Sequence, residues 1–390
     1  MVALLAAVFW LTITGANYPS QMLSDFLFKI GDILIEFFIS INSPVWLYEM
    51  LVLGVFRVLA WVIAVMLPPM AIFFPLFTFL EDIGYLPRIA FNLDTVFKKC
   101  SACGKQALLM CMGFGCNAAG VIGTRIIDSP RERLIAILTN NFVPCNGRFP
   151  TLILIISMFF LGGIATNFKS LGVTFLLTFV VLLGIIMTFI VSKLLSLTIL
   201  KGEPSSFVLE LPPYRKPKLS SIIVRSIFDR TLRVLGRAII VAAPAGFIIW
   251  ILSNIMIGDI TLLAEIANIL DPFASLIGLD GVILLAFIIG FPANEIVVPI
   301  IIMSYLSAGS LMEMDNIVEL RKLLVDNGWT WITAISTILF SLFHWPCSTA
   351  CLTIKKETNS WKWMFISILL PTIIGIIVCF LFSNIASLFI

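Results

Sequence analysis

Residue types that bind metal ions lie at interruptions in otherwise apolar sequence. Cys116 and Asn117 close a Gly-Phe-Gly-Cys-Asn sequence, Cys145 follows a proline, and Glu295 comes directly after a Gly-Phe-Pro-Ala-Asn sequence. Thiolates suit the softer first-row metals, whereas carboxylate and carbonyl oxygens suit harder cations. A mixed set made of these four side chains would favour a borderline ion such as Fe(II) or Mn(II) over Na⁺ or Ca²⁺.

Other polar residues are expected to support or gate such a site. Glu81 and Asp82 end a long apolar stretch, Arg148 is placed to pair with a buried carboxylate, and Asn294 and Cys347 lie at the second interruption and its partner segment. An ionisable group within a membrane span costs roughly 3 kcal/mol on insertion scales, so its presence favours a functional role. Alternatively, Glu81 and Asp82 mark where a helix leaves the membrane. A single free cysteine is more often a small buried apolar residue than a ligand.

The remaining candidate ligands give weaker signals. Cys100-x-x-Cys103 lies among lysines, and one such pair without a second is a weak zinc or redox signal. Cys347 and Cys351 are spaced to share one helix face, which predicts a secondary thiol pair. His344 is the single histidine, so a multi-histidine metal site is excluded, and a packing role for it is at least as plausible as a ligand role.

Composition defines the class of protein that must position these residues. Of 390 residues, 60% are hydrophobic and 12% charged, and the mean hydropathy is +1.09. Soluble domains carry about twice that share of charge, so a soluble enzyme and a disordered chain are excluded. The formal net charge of +3 indicates no polyanionic partner and therefore no nucleic acid. We predict an all-α, polytopic membrane protein in contact with membrane lipid.

Apolar stretches of span length recur along the chain. A span needs about 20 apolar residues, and we expect roughly 8–10 membrane segments, two of them interrupted by Gly, Pro and Asn. The uninterrupted windows are Met1–Ser24, Val58–Leu80, Phe149–Phe168, Ser170–Ser192, Ala238–Gly258, Trp329–Ile354 and Met364–Ile390, and the interrupted ones are Leu108–Ile122 and Gly281–Met312. Phe26–Ile41 carries its charges on one helical face, which predicts a helix lying in the membrane interface.

Two stretches of the chain resemble each other. Gly-Phe-x-x-Asn occurs at 113–117 and 290–294, and each copy is followed by a Pro-Cys pair, at 144–145 and 346–347. The second copy carries extra residues, which we assign to a polar loop, Ser310–Gly328. Paired, interrupted apolar segments point to a transporter's binding site. Helix packing through small residues is the alternative, but it does not explain the Asn, Cys and Glu at the breaks.

The repeat suggests a division of the chain into four parts. These are an N-terminal span with an interfacial helix (1–57), a first membrane half (58–200), a basic linker with an amphipathic helix (201–237) and a second membrane half (238–390). The linker region is the most basic part of the chain, so the positive-inside rule places it in the cytoplasm.

At these residues the chain resembles the membrane domain of the FeoB family of ferrous iron transporters. The motifs that carry the resemblance are Leu-Glu-Asp-Ile-Gly-Tyr-Leu-Pro-Arg at 80–88, Gly-Phe-Gly-Cys-Asn at 113–117, Pro-Cys at 144–145, Glu-Leu-Pro-Pro-Tyr-Arg at 210–215, Glu-Ile-Val-Val at 295–298 and Pro-Cys at 346–347. The resemblance covers nearly the whole chain in the family's order. It implies two Gate-type halves, a bacterial or archaeal cytoplasmic membrane and Fe(II) as transported substrate, with Cys116 and Cys145 as pore cysteines and no permanently bound cofactor.

The chain also departs from that family. Members usually begin with a GTP-binding domain, and the sequence contains no Gly-x-x-x-x-Gly-Lys-Ser/Thr phosphate loop. We therefore expect a non-enzymatic chain, coupled if at all to a separate GTPase domain or a small accessory Feo protein. A homo-oligomer is also compatible with the sequence. Asn294 stands where the family usually has Lys, and Ala119 where it has Pro, so ion preference or gating could differ. The competing hypotheses are a Gate-fold transporter of another divalent metal or a nucleoside-like solute, and a non-transporting membrane scaffold.

Overall fold

The computed structural model describes residues 2–100, 103–160, 166–202, 231–258, 260–307, 309–311 and 316–388, together with positions 224, 226 and 228. Within these residues the chain is helical apart from one antiparallel pair of short strands, β1 (Met256–Ile257) and β2 (Ile260–Thr261). Several helices are apolar and long enough to cross a bilayer. The predicted class, an all-α polytopic membrane protein, is confirmed.

The first half combines long helices with short ones. A π-helical turn, Glu49–Phe56, joins α2 to α3, and 3-10 turns at Thr124–Ile126, Asn140–Phe142 and Asn146–Arg148 interrupt the later helices. The helices are α1 (Val2–Ser40), α2 (Val45–Tyr48), α3 (Arg57–Asp82), α4 (Tyr85–Lys99), α5 (Lys105–Gly115), α6 (Asn117–Gly123), α7 (Pro130–Thr139), α8 (Phe149–Phe159) and α9 (Thr166–Leu197).

The second half has the same mixture. A 3-10 turn, Asn294–Ile296, separates two of its short helices. The helices are α10 (Leu232–Asn254), α11 (Leu262–Leu276), α12 (Gly281–Ile289), α13 (Val297–Tyr305), α14 (Ile317–Asp326), α15 (Trp331–Phe343), α16 (Ser348–Thr358) and α17 (Trp361–Ser387).

Six helical segments of the described chain are long and apolar enough to span a membrane, or seven if the pair α11 and α12, bent by 108°, counts as one span. The six are Val45–Leu80, Pro130–Phe159, Gly172–Leu197, Val234–Asn254, Trp331–Thr358 and Trp361–Ser387. The helices α5, α6, α12 and α13 are each shorter than a span. The sequence analysis predicted more segments, roughly 8–10, because it also counted the two interrupted stretches and Met1–Ser24 of α1 as membrane segments.

The order of elements is the same in both halves. Each half contains a span, an amphipathic helix, a hairpin of two short helices, a broken span and a final span. These are α3, α4, α5–α6, α7–α8 and α9 in the first half, and α10, α11, α12–α13, α15–α16 and α17 in the second, where α14 is added before the broken span.

One hydrogen bond occurs at the equivalent place in both halves. The Asp94 carboxylate accepts from the backbone N–H of Gly104 at 2.8 Å, and the Asp271 carboxylate accepts from that of Gly281 at 2.8 Å. In each half this bond ties the amphipathic helix to the start of the hairpin. The two halves therefore share a structural detail that their overall sequence does not make obvious.

The two hairpins enter the molecule from opposite ends. The Lys105 ammonium at the start of α5 contacts Ile126 O and Asp128 beyond α6, at 2.7 and 2.8 Å, so both ends of this hairpin lie together. That hydrogen bond lowers the pKa of Asp128, which keeps the carboxylate ionised at neutral pH. In the second half Tyr305 at the end of α13 donates to Asp280 at the start of α12. Each hairpin is thus re-entrant, with its tip inside the protein.

Cationic side chains collect at the end where the first hairpin enters, which we call the basic end. Glu357 at the end of α16 accepts from Arg125 at 2.6 Å and from Arg133 at 2.9 Å, which ties the two halves together there. Arg131 donates to Leu200 O at 2.6 Å, so the end of α9 lies at the same level. The second hairpin enters at the opposite end, beside Trp329, whose indole N–H donates to the Tyr305 hydroxyl.

Three details of the sequence analysis need correction or fall outside the described chain. α1 is one helix from Val2 to Ser40, so the predicted helix Phe26–Ile41 continues the helix that precedes it and is not a separate one. The polar Ser310–Gly328 segment contains α14, because Leu320 and Leu324 are buried on one face of a short amphipathic helix. The predicted amphipathic helix of the basic linker lies almost entirely outside the described residues.

Candidate ion site where four helix breaks meet

Four breaks in the helices face one small cavity, which we call the ion site. The breaks lie at Cys116 between α5 and α6, at 140–148 between α7 and α8, at 290–296 between α12 and α13, and at 344–347 between α15 and α16. Six of the nine residues predicted to bind, support or gate line this cavity: Cys116, Asn117, Cys145, Asn294, Glu295 and Cys347. The cavity has a volume of about 40 Å³.

The tip of the first hairpin brings Cys116 to the ion site. Cys116 has extended backbone geometry, with φ −156° and ψ 123°, between the end of α5 and the start of α6. The preceding residue is Gly115, where a side chain would overlap the Phe73 ring of α3. Glycine therefore allows α3 to pack directly against the break, so that Met66 and Met70 of α3 form one wall of the cavity.

The tip of the second hairpin brings Glu295 to the same cavity. Glu295 lies in the 3-10 turn before α13 and is 8% exposed. Its carboxylate packs against the backbone of the second break, where a Cβ added to Gly147 would lie 2.5 Å from Oε1. Among the described residues no Lys, Arg or His forms an ion pair with Glu295. A buried carboxylate without a counter-charge is costly, so a cation at this position would be stabilised.

Arg148 holds two breaks together and does not pair with a carboxylate. It is 1% exposed, and its guanidinium donates to the carbonyl oxygens of Asn141 and Leu342 at 2.9 Å, and to those of His344 and Trp345 at 3.2 Å. These carbonyls are free because the helices α7 and α15 end there. The prediction that Arg148 pairs with a carboxylate is wrong for the described chain. Backbone carbonyl oxygens at the helix breaks accept its hydrogen bonds instead.

Asparagines complete the connection between the breaks. The Asn140 amide donates to Asn117 O at 3.0 Å, the Asn117 amide to Asn141 Oδ1 at 3.4 Å, and the Asn141 amide to His344 O at 2.7 Å. Asn140 fits because Gly113 and Gly120 face it, where an added Cβ would lie 2.9 and 2.6 Å from its Oδ1. The first, second and fourth breaks are therefore held by one polar network, in which side-chain amides replace missing helical hydrogen bonds.

The third break joins this network through Asn294. Nδ1 of His344 faces the carbonyl oxygens of Phe340 and Ser341 at 3.1 and 2.9 Å, so Nδ1 carries a proton. The other ring nitrogen, Nε2, lies 3.3 Å from Asn294 Oδ1, and Asn294 Nδ2 lies 4.0 Å from Cys145 Sγ. A neutral imidazole needs a donor at Nε2, so we assign the Asn294 amide the turned orientation, in which its N–H donates to His344 and its oxygen accepts from the Cys145 thiol. His344 therefore positions Asn294 beside Cys145.

The other cysteines divide between the site and the apolar core. Cys347 precedes α16 and faces the ion site, whereas Cys351 is buried among Val121, Ile137 and neighbouring apolar residues, with Sγ 3.5 Å from Pro346 O. Whether the two act as the secondary thiol pair that their spacing suggests stays a prediction. Cys103 packs with apolar residues, and this burial raises the pKa of its thiol to about 12. A thiol with that pKa stays protonated at neutral pH, so it binds metal ions poorly and reacts slowly in redox chemistry.

Glu81 and Asp82 lie away from the ion site. They end α3, and Asp82 is exposed. Met70, which lines the cavity, precedes Asp82 by about 18 Å along the helix axis at 1.5 Å per residue. The position favours the alternative that these two residues mark the end of the span, although the Glu81 side chain lies outside the described residues.

The ion site offers soft and hard ligands together. Three thiols, one carboxylate and three side-chain amides line a space with room for one to a few waters. No group of three His, Cys, Asp or Glu side chains in the described chain is arranged to hold a metal ion.

Similarity to known proteins agrees with this architecture. The Gate family model, described as nucleoside recognition, matches residues 63–159 and 235–361, and a model of the ferrous iron transport protein B C terminus matches 177–229. The two Gate matches cover the broken hairpins and broken spans of both halves. No solved structure matches the chain.

Several curated relatives carry one name. The Fe(2+) transporter FeoB of Staphylococcus aureus is 30% identical over 340 residues, covering 84% of this chain and 48% of the relative. That of Methanocaldococcus jannaschii is 28% identical with the same coverage. A Porphyromonas gingivalis protein named as a fusion of Fe(2+) transport protein A and Fe(2+) transporter FeoB is 27% identical over 375 residues, covering 84% of this chain and 43% of the relative. The chain spans about half the length of these relatives.

The Gate model alone matches more than half of the chain, in two segments that coincide with the structural repeat. The model of the ferrous iron transport protein B C terminus and the FeoB relatives indicate the same family. The chain therefore belongs to the FeoB family and carries its Gate membrane region.

Proposed function

We propose that this chain forms a membrane path for Fe(II) through the ion site, in the cytoplasmic membrane of a bacterium or archaeon. The observation that carries this proposal is the meeting of Cys116, Cys145, Cys347 and Glu295 in one cavity at four helix breaks, with no ion pair to Glu295 in the described chain. Thiols favour softer ions and the carboxylate supplies charge, a combination that suits Fe(II) better than Na⁺ or Ca²⁺. The names of the relatives support the same cargo.

The size of the cavity argues against a larger solute. The Gate model's description raises a nucleoside-like cargo as the second candidate. A cavity of about 40 Å³ holds an ion or a few waters, whereas sites for drug-sized ligands have volumes of roughly 300 Å³ or more. Among the described residues no aromatic ring lines the cavity for a base to stack on, and the wall formed by α3 consists of Met66 and Met70.

The orientation and the partners follow from the same family relationship. The positive-inside rule places the basic end, with Arg125, Arg131 and Arg133, in the cytoplasm. There a separate GTPase domain or an accessory Feo protein would couple energy to transport, and the fusion relative supports an accessory partner of the protein A type. That partner would hydrolyse the nucleotide, and this chain would provide the path for the ion.

The direct test is uptake into proteoliposomes under anaerobic, reducing conditions, without nucleotide. We expect Fe(II) to accumulate, Mn(II) and Zn(II) to compete, and a nucleoside such as uridine to neither accumulate nor compete. Accumulation of uridine, or Fe(II) flux equal to that of empty liposomes for a folded chain supplied with its coupling partner, would contradict the proposal.

A further inference from the structure

A second, larger cavity lies between α1, α3 and α13, on the side of the ion site away from the basic end. It has a volume of about 700 Å³, and we call it the outer vestibule. Its polar lining comes from Ser20, Gln21, Ser24, Asp25, Arg57 and Trp61. The sequence analysis did not single out any of these residues.

The outer vestibule adjoins the ion site along two helices. On α3, Ala64 and Val65 line the vestibule, and the next residue, Met66, lines the ion site. On the second hairpin, Pro299 lines the vestibule one helical turn after Glu295. A solute in the vestibule is therefore separated from the ion site by about one turn of α3 and one turn of α13.

Prolines add backbone oxygens to this region. Pro68 and Pro69 lie inside α3, and because proline has no N–H, the carbonyls of Ala64 and Val65 receive no helical hydrogen bond from those positions. Both of these residues line the vestibule. Hydroxyl, amide, carboxylate and free carbonyl oxygens are the ligands preferred by hydrated or hard divalent cations.

Within the described chain, two charges in the vestibule form no ion pair and one indole N–H has no acceptor. No ion pair joins Asp25 or Arg57 to another side chain, and the Arg57 guanidinium lies over the Phe28 ring at 5.6 Å. The indole N–H of Trp61 is buried without an acceptor. Charged and polar groups at membrane depth are tolerated where they line a water-filled space.

We infer that the outer vestibule is the water-filled access chamber in which a hydrated divalent cation is held before it loses water at the ion site. The inference rests on the proposed function and adds a second site to it. Asp25 attracts the cation, while Arg57 on the facing wall weakens its binding and so favours its onward movement. Oxygen ligands thus meet the hydrated ion first, and thiols meet it after dehydration.

Water access is tested by the reaction of introduced cysteines with a charged, membrane-impermeant thiol reagent in sealed vesicles that expose the end opposite the basic end. Ser24→Cys faces the vestibule and should react. Met22→Cys is the matched control, because Met22 is 66% exposed on α1, does not line the vestibule and would face lipid. Absence of reaction at Ser24→Cys above the wild-type level overturns the inference.

Cation binding is tested on the same labelled position without any transport. Millimolar Mn(II) should slow the labelling of Ser24→Cys several-fold, and adding Asp25→Asn should remove that protection. Protection that is absent, or that is unchanged by Asp25→Asn, overturns the role of the vestibule as a cation site. Protection in a protein that does not transport Fe(II) would instead contradict the proposed function alone.

Uptake kinetics separate attraction by charge from a structural effect. Asp25→Asn should raise the KM for Fe(II) about threefold to fivefold, because it removes a negative charge that attracts the cation through water. Arg57→Gln removes a positive charge and should lower the KM by a similar factor. The kcat of both variants should change little. Both shifts should shrink at high ionic strength. Shifts of KM in the same direction for the two variants, or a loss of kcat instead, overturn the inference.

Discussion

Individual residues at the ion site are held by contacts that substitute for helical hydrogen bonds. Arg148 illustrates this best, since one guanidinium satisfies carbonyls from two broken spans. A charge without a counter-ion is tolerated there because several backbone dipoles accept from it at once. Arg148 is therefore a structural residue of the site, and its position beside Cys145 in the sequence is a consequence of that role.

Replacing Arg148 should destabilise the protein. Arg148→Met leaves buried carbonyl oxygens of both breaks without a donor, which costs about 3 kcal/mol or more. Arg148→Lys should not rescue it, because an ammonium cannot span the same fork of acceptors. Thermal unfolding in detergent, followed by tryptophan fluorescence, measures the effect. Arg321→Met on α14 is the control, because Arg321 is exposed. An Arg148 variant that unfolds at the same temperature as this control would contradict the structural role of Arg148.

A second residue-scale prediction concerns the packing between Gly147 and Glu295. An alanine at 147 would place its Cβ 2.5 Å from Glu295 Oε1, so the carboxylate must move out of its present position. We expect Gly147→Ala to reduce Fe(II) uptake by about tenfold, in line with overpacking costs of 1–3 kcal/mol. Gly236→Ala is the matched control, since nothing lies within 4 Å of its added Cβ. Equal uptake by the two variants would argue against a carboxylate role.

At the scale of elements, each hairpin depends on an aspartate that fixes its entrance. Asp94 and Asp271 accept from Gly104 and Gly281 across ten residues in both cases. The full repeat in the sequence is thus Asp-x9-Gly-x8-Gly-Phe-x-x-Asn, twice. The sequence analysis used its last five positions and missed the aspartate, although the spacing was visible.

Removing either aspartate should loosen its own hairpin. Asp94→Ala and Asp271→Ala should each lower stability by about 1 kcal/mol, as loss of a helix-capping acceptor does. The asparagine variants retain an acceptor oxygen and should melt close to wild type. Hydrogen exchange of α5–α6 and α12–α13 locates the effect. Exchange that increases equally in both hairpins for a single variant would contradict this assignment.

How much of the site could be predicted depends on the kind of signal. Gly, Pro and Asn at matched positions predict the breaks at 113–117 and 290–294, because these residues end helices or free backbone groups, and both breaks are present. The break at 344–347 was not predicted, because the sequence analysis treats Trp329–Ile354 as an uninterrupted span. Glu81 and Asp82 were included because ionisable residues near a span favour function, but they lie at the end of α3. The role of Arg148 and the position of His344 depend on contacts between the two halves, and local sequence carries no information about such contacts.

At the scale of the whole molecule, the two halves enter the membrane with opposite orientation around one cavity. The first hairpin enters from the basic end and the second from the opposite end, beside Trp329. Inverted repeats that place broken helices at mid-membrane are typical of transporters that expose one site alternately to the two sides. The segment boundaries at 57, 200 and 237 remain predictions.

This orientation predicts which residues are reachable from outside the cell. Val318 lies on α14 at the end opposite the basic end and is 76% exposed, whereas Lys356 lies on α16 at the basic end. In intact cells an impermeant thiol reagent should label Val318→Cys and leave Lys356→Cys unlabelled until the cells are permeabilised. The reverse pattern would invert the proposed orientation.

The central claim is that Fe(II) passes through the ion site at which the four breaks meet. Its most direct test is anaerobic Fe(II) uptake by proteoliposomes, comparing wild type, Cys116→Ser and Glu295→Gln with Cys351→Ser. Cys351 is the control because it is a buried thiol that packs in a separate apolar cluster. We predict that uptake falls at least tenfold in the first two variants and is unchanged in the control. Uptake at the wild-type level by folded Cys116→Ser and Glu295→Gln would contradict the account.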